Sequence, residues 1–122
     1  MTTMIAFSAT NARPVAVAIH HLSRTRSFRR IPMPATAGYR LAAASAQPGP
    51  GVMAVLVHDH QAEAVRVAGG TVVHLIFPGS ATQLPAAPGD VVLEASDDQQ
   101  LRELLDEILA GRRTPALVPV AA

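Results

Sequence analysis

A mainly β fold, a small β-sandwich or barrel with one C-terminal α-helix, is what the sequence predicts, and three observations predict it. Short apolar or β-branched runs recur at residues 4–9, 14–22, 52–58, 63–68, 71–77 and 90–95. Turn signals punctuate them at Asn11-Ala12-Arg13, Pro48-Gly49-Pro50-Gly51, Gly69-Gly70 and Pro88-Gly89. A leucine stripe of helical period occurs once, near the carboxyl end. Many short strands, frequent turns and one terminal helix suit a sandwich or barrel with a helix attached. The 122 residues suffice for a single core, and 49% apolar content gives that core enough surface to bury.

In chain order, residues 4–9 and 14–22 are expected as two strands, with Val15, Val17 and Ile19 on one face of the second. Residues 23–34 carry Arg24, Arg26, Arg29 and Arg30 and are interrupted by Pro32 and Pro34, so they predict a basic arm or long loop. Residues 39–46 are read as a further strand, against the helix preference of their alanines. Residues 52–58 follow a Pro-Gly turn as another. Gly69-Gly70 supplies the positive φ angles of a type I′ turn, so residues 63–68 and 71–77 are expected to pair as a hairpin. The second arm, Thr-Val-Val-His-Leu-Ile-Phe, is apolar almost throughout and reads as a central strand buried on both faces. Residues 90–95 form the last strand. Leu101, Leu104, Leu105, Ile108 and Leu109 then recur at helical spacing, and Ser96 and Gln99 have the spacing of a capping box. Gly111, Arg112 and Arg113 suit the closing end of a helix over residues 97–110. The tail, 114–122, with Pro115 and Pro119, is expected to be extended.

Composition excludes several chemistries. Without cysteine there is no disulfide framework, no thiolate metal site and no cysteine nucleophile. There is no Gly-rich phosphate loop and no Gly-x-Ser-x-Gly elbow. No apolar run approaches the roughly 18 residues of a membrane helix, and no secretory leader is read, so the expected location is the cytoplasm or the inside of a virion or other particle. The net charge of +1 hides an asymmetry. Residues 1–50 hold six arginines and no acid, whereas the rest holds four arginines against nine acids. Opposite charges of this kind attract within one subunit or between neighbouring subunits. An acidic half opposes a polyanion, which argues against a nucleic-acid partner.

Histidine placement carries the chemical signal. His58 and His60, one residue apart at the end of an expected strand, put both imidazoles on one face. In the hairpin register Glu63 and His74 are diagonal neighbours, so His58, His60, Glu63 and His74 assemble as three nitrogens and one carboxylate, a set suited to a divalent transition metal. The competing reading makes His58 and His60 surface residues and His74 a core histidine hydrogen-bonded to a neighbour. The stretch from His58 to Asp90, about a quarter of the chain, resembles the core of a single-domain cupin: His-Asp-His, then Glu63, the Gly69-Gly70 turn, a strand, and Pro88-Gly89-Asp90 before Val91-Val92-Leu93. That resemblance implies a small double-stranded β-barrel with metal ligands at His58, His60 and Glu63; His74 does not match the family's last histidine.

Two functions follow. Ranked first is a non-enzymatic β-rich structural or interaction subunit, with no cofactor, acting as a homo-oligomer or within a larger assembly through Arg24, Arg26, Arg29 and Arg30. The alternative is a cupin-like, metal-dependent enzyme or small-molecule-binding protein.

Overall fold

A computed structural model of the chain describes residues 3–10, 12–31, 49–76, 84 and 86–109. The elements run β1 (Thr3–Ala9), α1 (Ala12–Arg26), β2 (Arg29–Arg30), β3 (Gly51–Val55), α2 (Asp59–Val67), β4 (Thr71–Ile76), β5 (Val91–Glu94) and α3 (Asp98–Leu109). The strands form one sheet in the order β2-β3-β1-β4-β5, and every neighbouring pair is parallel. The architecture is therefore α/β, and the expected β-sandwich or barrel is not the fold. The double-stranded barrel that the cupin resemblance implies falls with it.

Parallel neighbours cannot be joined by a tight hairpin and need a crossover; α1 follows β1 and α2 joins β3 to β4 in this way. The chain leaves β1 through α1 toward β2 on one edge, and leaves β3 through α2, across β1, toward β4 on the other side. Crossovers of one hand running in opposite directions put their helices on opposite faces. Ile5, Phe7 and Ala9 of β1 accordingly pack with Val15, Ala18 and Leu22 of α1 and with Leu101, Leu104 and Leu105 of α3. Met4 and Ala6, pointing the other way, pack with Ala62 and Val65 of α2 and with Leu84. With both faces covered, β1, β3 and β4 are apolar almost throughout, as strands of a parallel sheet should be.

Two misread segments account for the wrong fold class. Residues 14–22 lie in α1, not in a strand. Their alternating Val15, Val17 and Ile19 imitate a β pattern, but the buried residues of α1 are Pro14, Val15, Ala18 and Leu22, a helical spacing. Pro14 sits in the first turn, where a missing N–H costs nothing. Residues 63–67 lie in α2, so Gly69-Gly70 is the end of a helix instead of a hairpin turn. Gly69 has φ of +85°, and its N–H donates to Arg66 O at 3.1 Å while the Gly70 N–H donates to Val65 O at 2.9 Å. This is the Schellman arrangement, which needs the same left-handed glycine that a type I′ turn needs. In the expected arm, residues 23–26 are the last turn of α1 and Arg29–Arg30 is edge strand β2. The expected strand at 39–46 and the tail at 114–122 lie outside the described residues.

Gly51 starts β3 directly over the ring of Phe28. A Cβ there would stand 2.8 Å from ring atoms Cε1 and Cζ, closer than packed carbon atoms tolerate. Gly51→Ala should therefore destabilise the protein by about 1–3 kcal/mol, measured by urea unfolding, and Phe28→Leu in the same chain should recover part of the loss.

Candidate functional site

At the sheet's carboxyl edge the connections that leave the adjacent strands β1 and β3 run to opposite faces, α1 to one and α2 to the other. In open α/β sheets ligands bind in the crevice at such a switch point. A cavity of about 440 Å³ lies there. Ala9 of β1, Val55 of β3 and Val15, Ala16 and Ile19 of α1 make apolar walls, while Thr10 and Arg30 contribute the polar groups. The amino end of α1 borders it and has no acidic residue in its first turn, so both the helix dipole and the Arg30 guanidinium make the surroundings positive. Among the described residues no histidine, acid or serine lines the cavity.

A second polar constellation lies on the opposite face of the sheet. Arg66, in the last turn of α2, grips Asp90 with two hydrogen bonds, Nε to Oδ1 at 2.9 Å and Nη2 to Oδ2 at 2.6 Å. Oδ2 also accepts the Ala87 N–H at 3.0 Å and lies 2.8 Å from Nε2 of His74 on β4. Asp90 and His74 have side chains only 2% and 0% exposed. Burial pushes the Asp90 carboxyl up, but the donors Arg66, Ala87 N–H and His74 together outweigh burial and hold it down at about 2. The carboxylate is thus ionised near neutral pH, and His74 Nε2 must carry the hydrogen that it donates. The turn that delivers Asp90 is built by Pro88 and Gly89, the latter at φ +91°, and closed by the Asp90 N–H on Ala87 O at 3.0 Å.

The four residues expected to ligate a metal do not come together. His58 precedes α2 and His60 is in its first turn; their rings stack with centroids 5.4 Å apart at an interplanar angle of 12°. Both are exposed. Glu63 points along α2 to Arg66 at 3.4 Å, and His74 is enclosed beside Asp90. The register on which the set rested does not exist, because α2 replaces the first hairpin arm. Among the described residues no group of three or more His, Asp or Glu side chains is arranged to hold a metal ion, so the four-residue set expected for a divalent transition metal is not assembled. His74 instead fits its bland alternative, a core histidine with a hydrogen-bonded neighbour. Of the arginines expected to bind a partner, Arg24, Arg29 and Arg30 are exposed and Arg26 is half-buried; Arg30 alone of these lines the cavity. Sequence reasoning missed Arg66 and Asp90 as a unit. The Pro-Gly-Asp turn was visible, but nothing in the spacing reveals that the carboxylate turns inward.

No protein-family model matches the chain, and no curated protein is significantly similar to it. Among solved structures, a de novo designed protein described as having a P-loop NTPase fold, determined by solution NMR, superposes with a TM-score of 0.57 at 10% sequence identity, covering 92% of each chain. The likeness is one of fold. The phosphate-binding loop itself needs glycines and a lysine between the first strand and helix. Here that turn reads Thr10-Asn11-Ala12-Arg13, and the whole chain contains no lysine. The described residues also include no helix long and apolar enough to cross a membrane.

Asp90 sets an acid limit on stability. Its folded-state pKa lies below the ordinary 3.8, so its contribution is present above about pH 4 and is lost as pH falls toward 2, amounting to about 2 kcal/mol. Asp90→Asn should cost about 3 kcal/mol at pH 7, since it leaves Arg66 without its anion. The variant's remaining stability should also fall less steeply than wild type between pH 4 and pH 2, as followed by urea titrations across that range.

Proposed function

We propose that the protein is a non-enzymatic binding domain that takes a small molecule with an apolar body and one anionic group in the crevice between the carboxyl ends of β1 and β3. The observation that carries this reading is the position of the 440 Å³ cavity at the switch point of the sheet. Its size matches a compact ligand, its walls are aliphatic, and Arg30 with the α1 amino end favours a negative group. The described lining residues are aliphatic apart from Thr10 and Arg30, a set suited to holding a ligand by burial and charge. The lack of a glycine loop and of lysine argues against a nucleoside triphosphate held in the P-loop manner.

A panel of small carboxylates and phosphate monoesters, tested by thermal shift, should contain compounds that raise the melting temperature. One present at a hundred times its Kd stabilises by about 2.7 kcal/mol. Ala16→Trp, at an exposed position on the cavity wall, should abolish the shift without unfolding the protein. Arg30→Gln should weaken anionic ligands selectively over their neutral amides. A panel that leaves the melting curve unmoved, or an Ala16→Trp protein that binds equally well, refutes the reading.

Homo-oligomeric or larger assembly through the arginine-rich surface is a second proposal, and a location in the cytoplasm or within a particle goes with it. Supporting it are exposed Arg24, Arg29 and Arg30 at or near the edge strand β2. Replacing Arg24, Arg26, Arg29 and Arg30 together by glutamine should then dissociate an oligomer that added salt also weakens, as seen by light scattering. A wild type that is monomeric at every salt concentration refutes it.

A further inference from the structure

The polar line Arg66–Asp90–His74 stops one group short of the middle of the sheet. Ser8 of β1 is in register with His74 of β4, so both side chains stand on the face covered by α2. Ser8 is 1% exposed and His74 is 0% exposed. Within the described residues, Ser8 Oγ and His74 Nδ1 are buried polar atoms with no hydrogen-bond partner. Leaving a buried polar group unpaired is costly, and native interiors rarely do so.

The chemistry of the two orphans is complementary. With the Nε2 hydrogen directed at Asp90 and the buried Nδ1 without a partner among the described residues, the tautomer that pairs with a hydroxyl donor is the one whose Nδ1 offers a lone pair. The serine hydroxyl is a donor whose hydrogen swings about Cβ–Oγ and whose oxygen moves among staggered χ1 positions. Adjacent strands are about 4.8 Å apart, a span that a seryl oxygen and the near nitrogen of an imidazole bridge between them.

We propose that in solution the Ser8 hydroxyl donates to His74 Nδ1, completing a four-residue relay, Arg66–Asp90–His74–Ser8, that runs from helix α2 to the central strand. Every hydrogen in the relay has a fixed place: the Arg66 cation donates to the Asp90 anion, neutral His74 donates through Nε2 and accepts at Nδ1, and Ser8 donates. The order serine, histidine, aspartate resembles a hydrolytic triad, but a serine with 1% exposure meets no substrate. Ser8 is instead a positioning residue. It anchors β1 from behind, next to Ala9 and Thr10, which line the crevice on the other side.

Imidazole nitrogen resonances of the full-length, nitrogen-15-labelled protein test this. Near neutral pH His74 should show a protonated Nε2 and an unprotonated Nδ1 displaced from the position of a free imidazole acceptor. Ser8→Ala should return Nδ1 toward that free position while Nε2 stays put, and Ser8→Thr, which keeps a hydroxyl on a strand-compatible residue, should restore the displacement. A proton on Nδ1, or an Nδ1 resonance that Ser8→Ala leaves unmoved, overturns the proposal. Should Ser8→Ala fail to fold, the wild type decides the matter alone. A slowly exchanging Ser8 hydroxyl proton with a cross-peak to the His74 carbon-bound hydrogen between the two nitrogens supports the direct bond. Its absence, or a cross-peak from a trapped water in its place, overturns it.

Discussion

A carboxylate almost sealed from water must find its hydrogen bonds inside the protein, and Asp90 finds them on three separate pieces of the chain. Arg66 brings the end of α2, His74 the middle of β4, and Ala87 the turn that leads into β5. Apolar contacts between these pieces allow sliding, because hydrophobic burial has no direction. A bidentate guanidinium and an imidazole at 2.8 Å do not. The network therefore fixes the seat of α2 over the sheet and the start of β5. Through the β4 register it also bears on β1, whose far end builds the crevice.

The opposite face is organised by charge distribution. The basic first half and acidic second half meet where α1 packs on α3: Arg13 pairs with Asp98 at 2.8 Å, and His21 lies 2.8 Å from Asp106. Hydrogen bonds from Arg13 hold the Asp98 carboxyl below its ordinary range. Part of the asymmetry thus acts within one subunit, orienting two helices whose apolar stripes already face each other. An exposed ion pair such as Arg13–Asp98 adds little stability but opposes a wrong pairing of helices. Arg24 and Arg30 point to solvent beyond this contact, and the assembly proposal rests on that remaining basic surface.

What could be read from the sequence depended on whether a local pattern has one structural meaning. The run 71–77 has one: β-branched or apolar at every position but His74, it reads as a buried strand, and β4 occupies Thr71–Ile76 between two neighbours. The leucine stripe marks a helix where α3 runs over Asp98–Leu109. Gly69-Gly70 has two meanings, since a left-handed glycine serves a hairpin and a helix end alike. Choosing the hairpin made antiparallel neighbours out of what is a helix followed by a strand. Alternation in Val15, Val17 and Ile19 was equally ambiguous, because short β-branched series satisfy both periods over so few residues. The joining of Glu63 and His74 to the His58–His60 pair was built on that hairpin, and the pair itself on a strand where α2 begins. The crevice was invisible for another reason: its walls come from β1, α1, β2 and β3, and only the strand order brings them together.

Strand order also separates the crevice from the chemistry usually placed in it. A doubly wound sheet opens a gap wherever consecutive crossovers diverge, whatever residues the adjoining turn contains. A phosphate chain, however, needs glycines at that turn so that the backbone can approach it closely and present several N–H groups. Thr10 and Ala12 carry Cβ atoms, the chain has no lysine, and among the described residues a single guanidinium, Arg30, is the charge that lines the cavity. Aliphatic walls around one cation match the proposed ligand, whose bulk is apolar and whose charge is local. A fold shared with a P-loop design at 10% identity therefore supplies the gap, and the lining residues, not the fold, determine what fits it.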